Sequence, residues 1–143
     1  MTSRLSIGAL AALWLLAAAG MFTVACAADE QKPYVVKDGK VDQHTYNGWR
    51  RYTESCLRCH GPDGSGSSYA PDLTESLKHM SEDEFKEVVI NGRKNVNTSA
   101  ENVMPAFGEV EDVVSYLDDM YAYLKARSDG VVGRGRPERF EQK

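Results

Sequence analysis

"SCLRCHG", residues 55–61, is the stretch on which the reading of this chain turns. Cys56 and Cys59 stand three apart, and His60 follows the second directly. Few chemistries want two thiols and an imidazole so close together. Zinc, a redox disulfide and a covalently held haem are the three candidates. The rest of the chain has to choose among them.

A structural zinc ion needs four protein ligands. Besides this cluster the chain offers His44 and His79, but no second CxxC and no HxxxH. Adjacent Cys59 and His60 are also hard to direct at one ion. A thioredoxin-like pair wants a βαβ setting, and no alternating strand pattern of useful length is visible. A haem fits for a physical reason. Thiols one helical turn apart can add to the two vinyl groups of a porphyrin, and the next histidine then meets the iron from the same side. C-x-x-C-H is the c-type attachment pattern. It requires export, because attachment takes place outside the cytoplasm.

The amino terminus supplies an export signal independently. Arg4 precedes an apolar run, "IGALAALWLLAAAGMFTVACAA", at residues 7–28. Ala25, Cys26 and Ala27 fit the A-x-A cleavage rule, so residues 1–28 read as a signal peptide cut after Ala27 or Ala28. An uncut run of roughly 20 apolar residues would span a bilayer, and a lipidated Cys26 is a third reading. All three put the folded part outside the cytoplasm, and the periplasm is the expected compartment. The whole chain has 143 residues, with 17 Lys+Arg against 21 Asp+Glu. Arg4 is the leader's sole charge, so the remainder carries 16 against 21, a net −5. That argues against nucleic acid as a partner and gives no general attraction to anionic membranes. A membrane is expected only if the leader stays uncut.

One small all-α domain of three or four helices is expected, with long loops. Residues 29–41 read as an extended lead-in. Residues 42–55 look helical, with Asp42 as N-cap and Gly48, Tyr52 and Cys56 on one stripe. Ser81 and Glu84 make a capping box, with Met80 and Phe85 placed for a hydrophobic staple. That helix should end at Gly92. Residues 93–108 read as irregular chain and residues 109–127 as one long helix. Residues 128–143, rich in Gly and Arg, read as an extended, solvated tail, and His44 and His79 as solvent-facing. Met80 has a staple to make and Met120 a helix face to fill. Met104 has neither.

With these residues in view, the chain resembles the class I cytochromes c over residues 42–127. In that family the first helix carries a glycine eight residues, and an aromatic four residues, before the first cysteine. Gly48 and Tyr52 match. Tyr123, in "YAYLK", matches the aromatic of the last helix. "APDL" resembles the loop whose proline carbonyl accepts from the proximal histidine, which implies that role for Pro71 toward His60. "MPAF" resembles the distal segment, which implies Met104 as the second axial ligand. The resemblance thus implies a class I cytochrome c fold around one haem c per chain, attached covalently through Cys56 and Cys59. Tyr69, Trp49 and Phe107 are expected in the core or lining the haem.

Six-coordinate iron leaves no open position for a substrate, so the expectation is a monomeric one-electron carrier and not an enzyme. "TESCLRCHGPDGSGSSYAPDL", "VINGRKN" and "GRGRPERF" look like the small proteobacterial cytochromes of methanol metabolism. That similarity implies a periplasmic quinoprotein alcohol dehydrogenase as donor, and a terminal oxidase or another cytochrome as acceptor. The alternatives are a haem subunit of a larger redox complex, or a haem enzyme or sensor with a labile distal methionine.

Overall fold

The computed structural model describes residues 31–96 and 101–141. The leader, residues 1–28 with Cys26, lies outside the described residues. The elements run β1 (Val36–Lys37), β2 (Lys40–Val41), α1 (Gln43–Ser55), α2 (Leu57–His60), a 3₁₀ turn (Pro62–Gly64), α3 (Leu73–Ser76), α4 (Glu82–Asn91), β3 (Arg93–Val96), β4 (Glu101–Met104), α5 (Glu111–Val114) and α6 (Leu117–Ser128). Among the described residues, no helix is long and apolar enough to cross a membrane.

The crossing of α1 and α6 forms the frame. Asp42 caps α1 by accepting from the Thr45 N–H at 3.0 Å. At Gly48 the helix backbones meet so closely that a Cβ would lie 1.8 Å from the Asp119 carbonyl oxygen and 2.9 Å from Tyr123 Cβ. Glycine mid-helix costs about 1 kcal/mol, and here the approach requires it. One turn on, the Tyr52 and Tyr123 rings pack with centroids 5.8 Å apart, and both are buried. Leu77, Phe85, Val89, Val113, Leu117, Met120 and Leu124 complete the core. The side chain of His44 pairs with Asp119 across the crossing, so it is partnered and not simply solvent-facing. His79 is exposed, as expected.

α4 begins at the expected capping box, with Ser81 and Glu84 bonding reciprocally. Met80 and Phe85 both pack on the core. Lys86 then ties this helix to the last one, bonding Glu82 at 2.7 Å and Asp118 at 2.6 Å.

Three expectations are corrected. The lead-in carries a hairpin, β1 with β2, turned by Asp38 and Gly39 at φ 51° and 74°. Positive φ at both central residues matches the twist of a two-residue hairpin. Residues 93–108 are not wholly irregular: β3 and β4 pair antiparallel, with Arg93 opposite Met104 and Lys94 opposite Val103. The long last helix is broken, since Tyr116 leaves helical geometry at φ −121° and ψ 23°. Its ring lies under the Arg51 guanidinium, 4.3 Å from carbon to centroid.

The tail is a fourth correction. Val132 is buried, Arg139 bridges to Val41 in parallel, and Phe140 N–H donates to the Val41 carbonyl at 3.0 Å. Arg136 stacks over both Tyr46 and Trp49, 5.6 Å from each ring centroid. Arginine stacks on aromatic faces without surrendering its hydration as ammonium would. The arginines that read as a solvated tail are what strap it to α1.

Candidate functional site

Cys56 ends α1 and begins α2, and its N–H still bonds the Tyr52 carbonyl at 2.8 Å. Cys59 and His60 follow within the single turn of α2. The cysteines are one turn apart and form no disulfide with each other. Burial pushes the Cys56 thiol up to about 11, and neighbouring Cys59 adds to the rise. Redox CxxC pairs work through a thiol whose pKa is lowered, and the Cys56 thiol is shifted the other way. Zinc fares no better. Among the described residues, no three His, Cys, Asp or Glu side chains are grouped to hold an ion.

The loop after His60 is tied at nearly every residue. Gly61 sits at φ 73° and ψ 174°, a region essentially restricted to glycine. Its carbonyl accepts from Tyr52 Oη at 2.5 Å. Burial pushes the Tyr52 phenol well above its ordinary range, so it stays a donor. Gly66 N–H returns to the His60 carbonyl at 2.8 Å, and Ser67 Oγ donates to the Cys59 carbonyl at 2.5 Å. Gly66 also lies against the next segment: a Cβ there would be 2.8 Å from Asp72 N and 3.2 Å from Pro71 C. Asp72 caps α3, accepting from Thr74 N–H at 2.7 Å. The cap fixes the residue after Pro71 and thereby aims the Pro71 carbonyl.

That carbonyl lies 3.0 Å from His60 Nδ1. A carbonyl can only accept, so Nδ1 carries the proton and Nε2 keeps the free lone pair. A metal-bound histidine is oriented and made more basic in this way. His60 is 7% exposed, and its ring orientation is fixed before any metal is considered. The donor chemistry therefore fits a haem: two thiols one turn apart, and an imidazole with one nitrogen held and the other available. Pro71 and His60, 11 residues apart in sequence, are brought together by the tight turns at Gly61 and Gly66.

Met104 belongs to another part of the fold. It ends β4, opposite Arg93, so it is not the plain loop residue expected. Gly92, which stops α4 at φ 74° and ψ 178°, packs against the backbone of Met104, Pro105 and Ala106. Phe107 and Gly108 then bond back to the Val89 and Ile90 carbonyls at 3.0 and 3.1 Å. Met104, half-buried, packs on the core, as does Phe107. Trp49 packs on the core from the strap side, whereas Tyr69 is 77% exposed and joins no core.

Sequence reasoning missed two contributors. Ser67 gave no pattern to follow. Asp63 stands at φ 61° and is 8% exposed; the "PDG" of residues 62–64 signals a turn, but its partners lie in the tail, more than 60 residues on.

This arrangement, a helix crossing at a glycine with a CxxCH turn behind it, defines a class I c-type cytochrome. A family model described as cytochrome C oxidase, cbb3-type, subunit III matches residues 44–124. Cytochrome c-553I of Paracoccus denitrificans is 49% identical over 109 residues, which are 76% of this chain and 48% of that protein. The chain thus spans about half the length of that relative. Cytochrome c-555 of Methylococcus capsulatus is 46% identical over 100 residues, 69% of this chain and 75% of that one. The crystal structure of c-type cytochrome XoxG from Methylobacterium extorquens AM1 superposes with a TM-score of 0.69 at 46% identity, covering 77% of this chain and 67% of that chain. The chain belongs to the c-type cytochrome family, as its motifs implied, and the haem c of that family is covalently bound.

Proposed function

We propose that this chain is a periplasmic one-electron carrier, serving a quinoprotein alcohol dehydrogenase as donor and a terminal oxidase or another cytochrome as acceptor. In this reading residues 1–28 are the export leader and residues 42–127 the haem domain. Cys56 and Cys59 form the thioethers, and His60 and Met104 hold the iron. Pro71 keeps the proton on His60 Nδ1, which leaves Nε2 as the ligating atom. When bound, the haem supplies a one-electron couple, and its thioether ligand raises the potential. The protein contributes rigidity. The bonds at Gly61, Gly66 and Ser67 hold the proximal loop, while Gly92 and the β3–β4 pair hold Met104. Few groups need to move when the charge changes.

The observation that carries this reading is the His60 Nδ1 to Pro71 contact directly behind the two cysteines. The methanol link is supported by the sequence resemblance. It is tested by rapid mixing of the oxidised protein with a reduced quinoprotein alcohol dehydrogenase. Saturable reduction with fast release, as small transient interfaces give, is the expected result. No reduction beside an active donor would remove the link and leave the carrier. A second reading, a haem subunit of a larger complex, is favoured by the oxidase-subunit description of the matching family model. Stable co-purification with other subunits would select it.

A further inference from the structure

We propose that Asp63 is a positioning residue for His60: it ties the loop behind the imidazole to the carboxy-terminal strap and makes that strap part of the haem site. The proposal rests on His60 being an axial ligand, as argued above.

Asp63 lies three residues beyond His60, inside the loop whose other bonds run to the Cys59, His60 and Gly61 carbonyls. It is a buried carboxylate in left-handed backbone, which Asp and Asn enter more readily than other residues with a Cβ but still at some cost. Such strain persists only where the surroundings over-determine it. Here they do. The carboxylate accepts from Gly135 N–H at 2.9 Å and from Arg134 Nε at 3.4 Å. The Asp63 carbonyl accepts from Arg127 Nε at 3.3 Å. Arg127 also donates through Nη1 to the Val132 carbonyl at 2.6 Å, so one guanidinium holds loop and strap together. The strap continues to the α1 aromatics through Arg136 and to Val41 through Arg139.

The loop is short and bonded at both ends, so slack at Asp63 has to reach its neighbours. One end is His60 itself, and the other leads through Gly66 to Pro71. A looser loop lengthens the Nδ1 to Pro71 hydrogen bond. The imidazole then becomes less basic and stabilises the ferric state less. The reduction potential rises.

Two variants separate this from simple charge effects. Asp63→Asn removes a negative charge, and asparagine tolerates the left-handed backbone. Arg127→Gln removes a positive charge and frees both loop and strap. Charge alone would move the potential up in the first and down in the second. Positioning moves it up in both. Asp129→Ala is the control: it dissolves a comparable hub of Lys32, Tyr34 and Lys125 that touches none of the loop. It also removes a negative charge, so it should lower the melting temperature and raise the potential by the charge effect alone, less than Asp63→Asn does. Opposite shifts in the two variants, or no shift in either, overturn the proposal. If Asp63→Asn fails to accumulate with haem, Arg127→Gln decides alone, because only positioning raises its potential. If the wild-type protein lacks a histidine-ligated low-spin spectrum, both this proposal and the ligand assignment fall. If it has one and the variants do not move the potential, only this proposal falls.

Discussion

Gly92→Ala puts the link between α4 and Met104 under direct load. Gly92 adopts φ 74° and ψ 178°, where a side chain costs of order 1–3 kcal/mol. The new Cβ would also lie 2.6 Å from the Met104 carbonyl oxygen, 2.8 Å from Ala106 N and 3.0 Å from Pro105 C. All three are backbone atoms, so no side chain can rotate away. Overpacking of this kind adds roughly 1–3 kcal/mol. The combined loss of about 2–6 kcal/mol falls within the total stability of a small domain. The fold should survive by letting the segment around Met104 shift. Gly130→Ala is the matched control, with φ +73° and nothing within 4 Å of its Cβ; it should cost about 1–2 kcal/mol of backbone strain and displace nothing. Urea unfolding reads the stability, and carbon monoxide uptake by the reduced protein reads the proposed ligation by Met104. Gly92→Ala should bind carbon monoxide readily, and Gly130→Ala should not. Resistance of both variants equal to wild type would refute the idea that Gly92 positions Met104.

Gly48→Ala should destabilise by about 3 kcal/mol or more, since the α1 and α6 backbones must separate; an unchanged unfolding midpoint would disprove the close crossing. Tyr52→Phe leaves the buried Gly61 carbonyl without its donor, and should cost about 1–3 kcal/mol in denaturant unfolding. The acid limb of stability should depend on Asp129. Burial opposes its ionisation, yet hydrogen bonds from Lys32, Tyr34 and Lys125 hold its carboxyl well below the usual range. Its contribution is therefore fully present above the unfolded carboxylate value of about 3.9 and is lost as pH falls through the lower folded value. Asp129→Asn should be less stable at neutral pH, with a shallower decline below about pH 4; parallel curves for the two proteins would remove the hub.

The sequence is most legible where one local pattern carries one physical meaning. The Ser81–Glu84 capping box, the Asp42 cap and the Gly48–Tyr52 stripe each lie within a turn or two, and each appears as read. The proximal side was legible because CLRCH concentrates its donors in five residues. What could not be read depends on distant partners. The β3–β4 pair has no apolar alternation, and its pairing is backbone to backbone. The break at Tyr116 answers to Arg51 on another helix. The strap looked like a polar tail because its arginines are spent on Tyr46, Trp49 and the Asp63 loop. Tyr69, expected in the core or lining the haem, is exposed and takes no part in the protein core.

In the function proposed above, Cys56 and Cys59 hold one haem by thioether bonds. The intact mass of the exported protein after denaturation tests it most directly, because covalent haem survives unfolding. A single species heavier than the polypeptide by one iron porphyrin is the expected result. A bare polypeptide mass, with two free thiols or a disulfide two hydrogens lighter, would contradict it.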